Sequence, residues 1–168
     1  VLDVGAGCGI QALRARRYAA DVVATDVSER ALAFTRLNAL LNDVDRVDTR
    51  LGSLFSPVAG EQFDRVVSNP PFFVDSLTCP DAGRTTARHA VRLPFGDLRD
   101  AVVRLLSDEG HFAVVLPADE AARFIGICRD VLLPVRRTDV RTTPRHAAKR
   151  VLLEFVHTSS APAPDRTE

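Results

Sequence analysis

The sequence predicts an α/β domain: a doubly wound, mostly parallel sheet with a C-terminal antiparallel hairpin. Three observations carry this. Short apolar runs alternate with segments whose apolar residues recur at helical spacing, the signature of successive strand–helix units. The first run, Val1–Val4, passes directly into a glycine-rich turn, Gly5-Ala6-Gly7-Cys8-Gly9. The last two runs, Val135–Thr142 and Arg150–His157, are joined by a basic loop without helical period, so they are expected to pair antiparallel.

In chain order, Val1–Val4 reads as a buried strand and Ile10–Tyr18 as a helix with Ile10 and Leu13 facing in. Val22–Thr25 is the second strand and ends on Asp26. Ser28 suits an N-cap, and Glu29 sits where the helix dipole favours an acid. The helix it opens runs to Leu41 and is expected to bury Leu37, Leu40 and Leu41. A third strand covers Val47–Leu51 and a fourth Phe63–Val67. Leu98, Ala101, Val102, Leu105 and Leu106 form one face of a helix over Asp97–Leu106, with Gly110 as its stop. His111–Leu116 is a fifth strand ended by Pro117. Ala118–Leu132 is a further helix, with Ala121, Phe124, Ile125, Cys128, Val131 and Leu132 inward.

The 168 residues are enough for one domain with a proper core, expected over 1–157, with a disordered Pro/Ser-rich tail over 158–168. The hydrophobic share of 46% and charged share of 26% are ordinary for a soluble domain, and the net charge is zero. No global field attracts nucleic acid, so binding of that kind needs a local patch. Cys8, Cys79 and Cys128 lack metal-ligand spacing and read as reduced thiols, with Cys8 a small packing group. No apolar stretch reaches the length of a membrane span. A cytoplasmic monomer without a metal is expected. The chain starts inside a strand and contains no methionine, so a preceding segment is expected in the natural protein.

Ligands of doubly wound sheets sit beyond the carboxyl ends of the strands, where strand order reverses. The ends of strands one, two and four carry the glycine turn, Asp26 and Ser68-Asn69-Pro70-Pro71-Phe72. Gly5, Gly7 and Gly9 form G-x-G-x-G. A dinucleotide fingerprint would need its third glycine at position 10, which is Ile10. A cofactor without phosphate needs only a tight turn at its amino-acid end, and Asp26 can accept both hydroxyls of a ribose. Asp3 stands just ahead of the turn. This set suggests S-adenosylmethionine over a nucleotide or a purely structural turn. At the fourth strand, the Asn69 side-chain oxygen and Pro70 carbonyl are two acceptors, and Phe72 is a flat apolar face. Together they suit a planar group bearing an NH₂, whose delocalised lone pair two acceptors make more reactive. The bland alternative is a structural turn with a buried Phe.

Val1–Gly9 resembles the first motif of class I methyltransferases, enzymes with a Rossmann-like sheet, and Ser68–Phe72 resembles the fourth motif of their amino-methylating branch. Residues 69–77, Thr85–His89, Val114–Pro117, Arg137–Arg141 followed by Thr143-Pro144, and Arg150–Phe155 are similar to the bacterial tRNA(Val) adenine-N(6)-methyltransferase family. The resemblance covers Val1 to Phe155. It implies methyl transfer to the exocyclic nitrogen of an adenine next to the anticodon of a tRNA. By motif it places Gly5, Gly7, Gly9 and Asp26 at the cofactor, with Asp3, Ala6, Val27, Ser53 and Leu54 as further candidate contacts. It has Asn69 and Pro70 hold the adenine amino group and Phe72 stack on its ring, with Pro71 completing the catalytic set. Two departures stand out: the family's segment ahead of the first motif is not in this chain, and Ser53 stands where many class I enzymes carry an acid.

Basic residues cluster in two places. Arg136, Arg137, Arg141, Arg145, Lys149 and Arg150 occupy the last hairpin, opposed by Asp139 alone, and Arg84, Arg88 and Arg92 follow the Asn-Pro-Pro-Phe stretch. Arginine matches phosphate well, so Arg84, Arg88, Arg141, Arg145, Lys149 and Arg150 are candidate contacts to the anticodon loop, against the alternative of a solvated hairpin. His89 and His111 read as a solvated loop residue and a structural residue. Two other functions stay open: a protein-glutamine N-methyltransferase acting on a release factor, since an amide NH₂ fits the same acceptors, and a non-catalytic RNA-binding or truncated module.

Overall fold

The computed structural model describes residues 1–54, 56–70 and 94–160. The sequence-predicted positions Pro71, Phe72, Arg84, Arg88, Arg92, His89 and Cys79 lie outside these residues, as does 161–168.

Seven strands form one sheet: β1 (Leu2–Val4), β2 (Val22–Asp26), β3 (Val47–Leu51), β4 (Phe63–Ser68), β5 (Leu106–Pro117), β6 (Leu132–Val140) and β7 (Arg150–His157). Their order is β3-β2-β1-β4-β5-β7-β6. The first five are parallel, and β7 enters antiparallel between β5 and β6. This is the doubly wound sheet with an antiparallel hairpin that the sequence predicts. Strand order reverses between β1 and β4, so the right-handed crossovers on either side place their helices on opposite faces and leave a crevice at the carboxyl ends.

The main core lies under α3 (Phe95–Leu105) and α4 (Ala118–Cys128). Inward positions alternate along β5 as Phe112, Val114 and Leu116 and along β7 as Val151, Leu153 and Phe155, all essentially fully buried. Phe124 of α4 meets Phe112 and Phe155 with ring centroids 6.2 and 5.6 Å apart, in edge-on geometry. Burying such a side chain contributes several kcal/mol, so losing one costs about 3–5 kcal/mol. The other face has a smaller core in which α1 (Ile10–Ala15) and the sheet bury Ala6, Ala12, Val22 and Ala24.

Several boundaries and facings differ from the sequence reading. α1 ends at Ala15 rather than Tyr18, and Ile10 is 65% exposed; the short helix lies on its small Ala12, which is fully buried. α2 (Glu29–Leu41) points its expected core residues outward, with Leu37, Leu40 and Leu41 exposed and Leu32 and Thr35 buried. Two apolar lines compete on this helix, and the slimmer one wins because it also carries the polar groups that reach the glycine turn. Gly110 is not the stop of α3, which ends at Leu105. It lies inside β5 where register slips from Phe63↔Leu106 to Arg65↔His111. A Cβ there would stand 2.7 Å from the Leu106 side chain, so close approach rather than helix capping requires glycine. α4 stops at Cys128, and Leu132, read as helical, opens β6 paired with His157. Thr158–Ser160, assigned by sequence to the tail, form a 3₁₀ turn whose Thr158 amide donates to the Val131 carbonyl at 3.1 Å.

Candidate active site

The glycine turn is built from both of its neighbours. Gly5, Gly7 and Gly9 have φ of 72°, 59° and 85°, a region where side chains are strained. From β2, the Thr25 carbonyl accepts the Gly5 and Ala6 amides at 2.9 and 3.0 Å. From α2, the Thr35 hydroxyl donates to the Gly7 carbonyl at 3.0 Å and the Asn38 amide to the Cys8 carbonyl at 2.9 Å. A Cβ on Gly9 would stand 2.6 Å from the Thr35 methyl, whereas one on Gly5 or Gly7 would meet nothing within 4 Å among the described residues. The turn is therefore packed tightly on the α2 side and open at Gly5 and Gly7, as a ligand cradle must be. Cys8, read as a packing group, is exposed; its contribution is its carbonyl.

Asp26 ends β2 beside this turn. One carboxylate oxygen accepts the Gly7 amide at 2.9 Å and the other accepts the Ser28 amide at 2.9 Å. Each oxygen keeps a second lone pair, so the pair of ribose hydroxyls expected from the sequence can still be accepted while the acid holds the turn. Ser28 caps α2 as predicted, accepting the Ala31 amide at 3.2 Å. The Gly52 amide donates to the Asp26 carbonyl at 3.0 Å, which brings the Gly52-Ser53-Leu54 turn beside the acid. There Ser53 and Val27 are exposed, and Leu54 packs partly into the main core.

Asp3 is fully buried beneath the turn, and neither of its carboxylate oxygens has a hydrogen-bond partner among the described residues. Burial pushes its pKa up to about 7. The backbone amide of Ala12 pulls the other way, though without hydrogen-bond geometry, and the charge of Asp26 raises it slightly. An orphaned acid at this position is out of balance until a cation or a proton meets it.

β4 delivers the second motif. Ser68 pairs with Val4, and its hydroxyl donates to the Val4 carbonyl at 2.8 Å, fully buried. Asn69 follows, exposed, and Pro70 is buried. The described part of the predicted catalytic set thus leaves the sheet at the strand next to the glycine turn. Sequence reasoning missed Thr35, Asn38 and Ser68 as supports. A threonine three residues after the core Leu32 was the one available signal.

The basic hairpin reaches the same edge. Arg150 of β7 pairs with both Pro117, the last residue of β5, and Val140, the last of β6. The 141–149 connection therefore projects from the carboxyl edge of the parallel strands. Arg136 lies 3.7 Å from Glu154, which also holds His111 at 2.7 Å, and Arg137 pairs with Asp139 at 2.9 Å. Arg141, Arg145, Lys149 and Arg150 are exposed and have no carboxylate partner among the described residues. His111 is structural, as expected.

Comparison with known proteins identifies the family and the fold. Residues 1–99 match the family described as methyltransferase small domain. A protein of Phocaeicola vulgatus named tRNA1(Val) (adenine(37)-N6)-methyltransferase is 37% identical over 158 residues, covering 92% of this chain and 68% of the relative. One of the same name from Klebsiella pneumoniae is 34% identical, covering 99% of this chain and 71% of the relative. Among solved structures, the ribosomal protein L11 methylase of Lactobacillus delbrueckii subsp. bulgaricus superposes with a TM-score of 0.69 at 19% identity, covering 93% of this chain and 68% of that one. The N-methyltransferase NodS of Bradyrhizobium japonicum, crystallised with S-adenosyl-L-homocysteine, gives 0.70 at 15%, covering 94% and 76%.

Proposed function

The chain belongs to the methyltransferase small domain family and groups there with the tRNA1(Val) adenine-N6-methyltransferases, and on that premise we propose that it methylates the exocyclic amino group of an adenine in tRNA, next to the anticodon. It is an S-adenosylmethionine-dependent N-methyltransferase. The observation that carries the tRNA reading is the shared edge: the glycine turn, Asp26, Asn69 and the cations of the 141–149 hairpin, which have no carboxylate partner among the described residues, all leave the sheet on one side. Neither the protein-glutamine reading nor the non-catalytic reading is favoured by the relatives.

S-adenosylmethionine fits the residues present. Gly5 and Gly7 leave open space, Asp26 keeps lone pairs for a ribose, and the orphaned Asp3 carboxylate suits a nearby ammonium. The backbones of Gly5, Ala6, Gly7 and Gly9, with Asp3, Asp26, Val27, Ser53 and Leu54, would hold it. When bound, it supplies a methyl group on a positively charged sulfur. Asn69 and Pro70 accept the two amino hydrogens of adenine through the amide oxygen and the carbonyl, and Pro71 and Phe72 complete the set, with Phe72 stacking on the ring. These acceptors aim the nitrogen lone pair and localise it as the ring loses conjugation with it, so positioning supplies much of the acceleration. Arg84, Arg88, Arg141, Arg145, Lys149 and Arg150 bind phosphates, and an anticodon-loop base, already unpaired, enters the pocket at low cost. The cytoplasm is the compartment where this substrate is found. No described helix is long and apolar enough to cross a membrane.

The test is incubation of purified protein with tRNA and isotopically labelled cofactor, followed by mass spectrometry of the nucleosides. Labelled N6-methyladenosine is expected; unlabelled tRNA, together with label in a release factor incubated in a parallel reaction, would overturn the reading.

A further inference from the structure

The outer face of α2 carries a stripe that no other described residue covers. Phe34, Leu37, Leu40 and Leu41 are 46%, 46%, 75% and 69% exposed, opposite the buried Leu32 and Thr35. Phe34, Leu37 and Leu41 follow the three–four spacing of a helix–helix seam. A helix that is apolar on both faces is normally covered on both.

We propose that this stripe is an isologous dimer interface, in which α2 packs antiparallel against α2 of a second copy with Leu37 near the twofold axis. The charges at the two ends of the stripe are complementary to each other, which suits a second copy of the same helix. The Arg30 guanidinium lies over the Phe34 ring, 5.8 Å from its centroid, at the N-terminal end of the stripe. The C-terminal end has no basic residue in its last turn and is followed by the exposed Asp43. In an antiparallel pair each Arg30 faces the carbonyl end and Asp43 of the other copy, twice over by symmetry. A parallel pair would set Arg30 against Arg30. One short helix buries less than the ~1,200 Å² of a standard interface, so the dimer is reversible, with a dissociation constant on the order of 10 µM. Because α2 runs opposite to its strands, antiparallel packing points the two carboxyl edges in opposite directions, and each stays open to its own substrate. This places a weak dimer where the sequence suggested a monomer.

The experiment is sedimentation velocity across roughly 1–200 µM protein, a range that brackets the expected constant. A concentration-dependent monomer–dimer shift is expected for the unaltered chain, and Leu37→Glu should weaken it at least ~10-fold while tRNA methylation per monomer stays the same. As an independent geometric check, Leu37→Cys in a background carrying Cys8→Ser and Cys79→Ser should form a disulfide-linked dimer on mild oxidation. Tyr18→Cys in the same background, at a position that is also exposed, should not. A chain that stays monomeric throughout, a dimer indifferent to Leu37→Glu, or cross-linking in the Tyr18→Cys variant alone overturns the proposal. None of these outcomes bears on whether tRNA is methylated.

Discussion

The Ser68 hydroxyl donates to the Val4 carbonyl at 2.8 Å, so one buried hydrogen bond joins the strand that leads into the glycine turn to the strand that leads into Asn69-Pro70. The two halves of the candidate site, sixty-four residues apart in sequence, share that link. Ser68→Ala should lower stability by about 1 kcal/mol, the cost of an unmade buried hydrogen bond. It should also reduce kcat more than cofactor affinity, because it loosens the position of the acceptors. Denaturant unfolding and steady-state kinetics read the two effects; equal losses in affinity and turnover would argue against this role.

Asn69→Ala should reduce methyl transfer at least ~100-fold, as for loss of a preorganised polar partner, with cofactor affinity within a few-fold. Asp26→Ala should do the reverse and weaken the cofactor, since it releases the Gly7 and Ser28 amides as well as the ribose. Calorimetry beside a turnover assay separates them. Unchanged turnover in Asn69→Ala would remove its catalytic assignment.

Stability should fall as pH rises from about 4 to about 7. Folded protein keeps the Asp3 proton up to about pH 7, while the unfolded chain releases it near pH ~4. Between these values the folded state binds more protons, so the stabilisation is complete below the lower pH and lost through the upper, by on the order of 4 kcal/mol. A cofactor ammonium near Asp3 favours its ionised form, so cofactor affinity should strengthen over the same interval. Asp3→Asn should flatten both profiles. A slope unchanged in that variant would show that another group titrates.

Salt dependence separates the basic residues. Replacing Arg141, Arg145 or Lys149 by Gln should reduce the slope of log affinity for tRNA against log salt by roughly 0.7–0.9 each. Arg137→Gln should change it less, because Asp139 already neutralises that guanidinium. Equal effects at all four positions would mean that the hairpin acts only as a diffuse charge.

Gly9→Ala should disrupt the turn through two effects at one position, a φ of 85° and contact with Thr35 at 2.6 Å. Gly7→Ala meets open space and should keep more stability while losing cofactor affinity. Thermal unfolding with and without cofactor distinguishes them.

Much of this site was legible because its signals are local. The glycine spacing, Asp26 at a strand end and the Ser28 cap each declare themselves within a few residues. The hairpin at Arg150 was legible from the missing helical period before it. What escaped depends on distant partners. Thr35 looks like one more residue of α2 until its hydroxyl is seen on Gly7, and Gly110 reads as a helix stop until Leu106 is found against it. α2 offered two apolar lines, and periodicity alone favoured the bulkier, which faces outward.

The antiparallel entry of β7 has an evolutionary consequence. The segment between Val140 and Arg150 spans two adjacent strands rather than a strand and a helix, so residues can be inserted or removed there without displacing any buried side chain. Descendants of this chain can therefore lengthen or recharge that rim to meet differently shaped partners, while the arrangement of the glycine turn a few strands away is inherited unaltered.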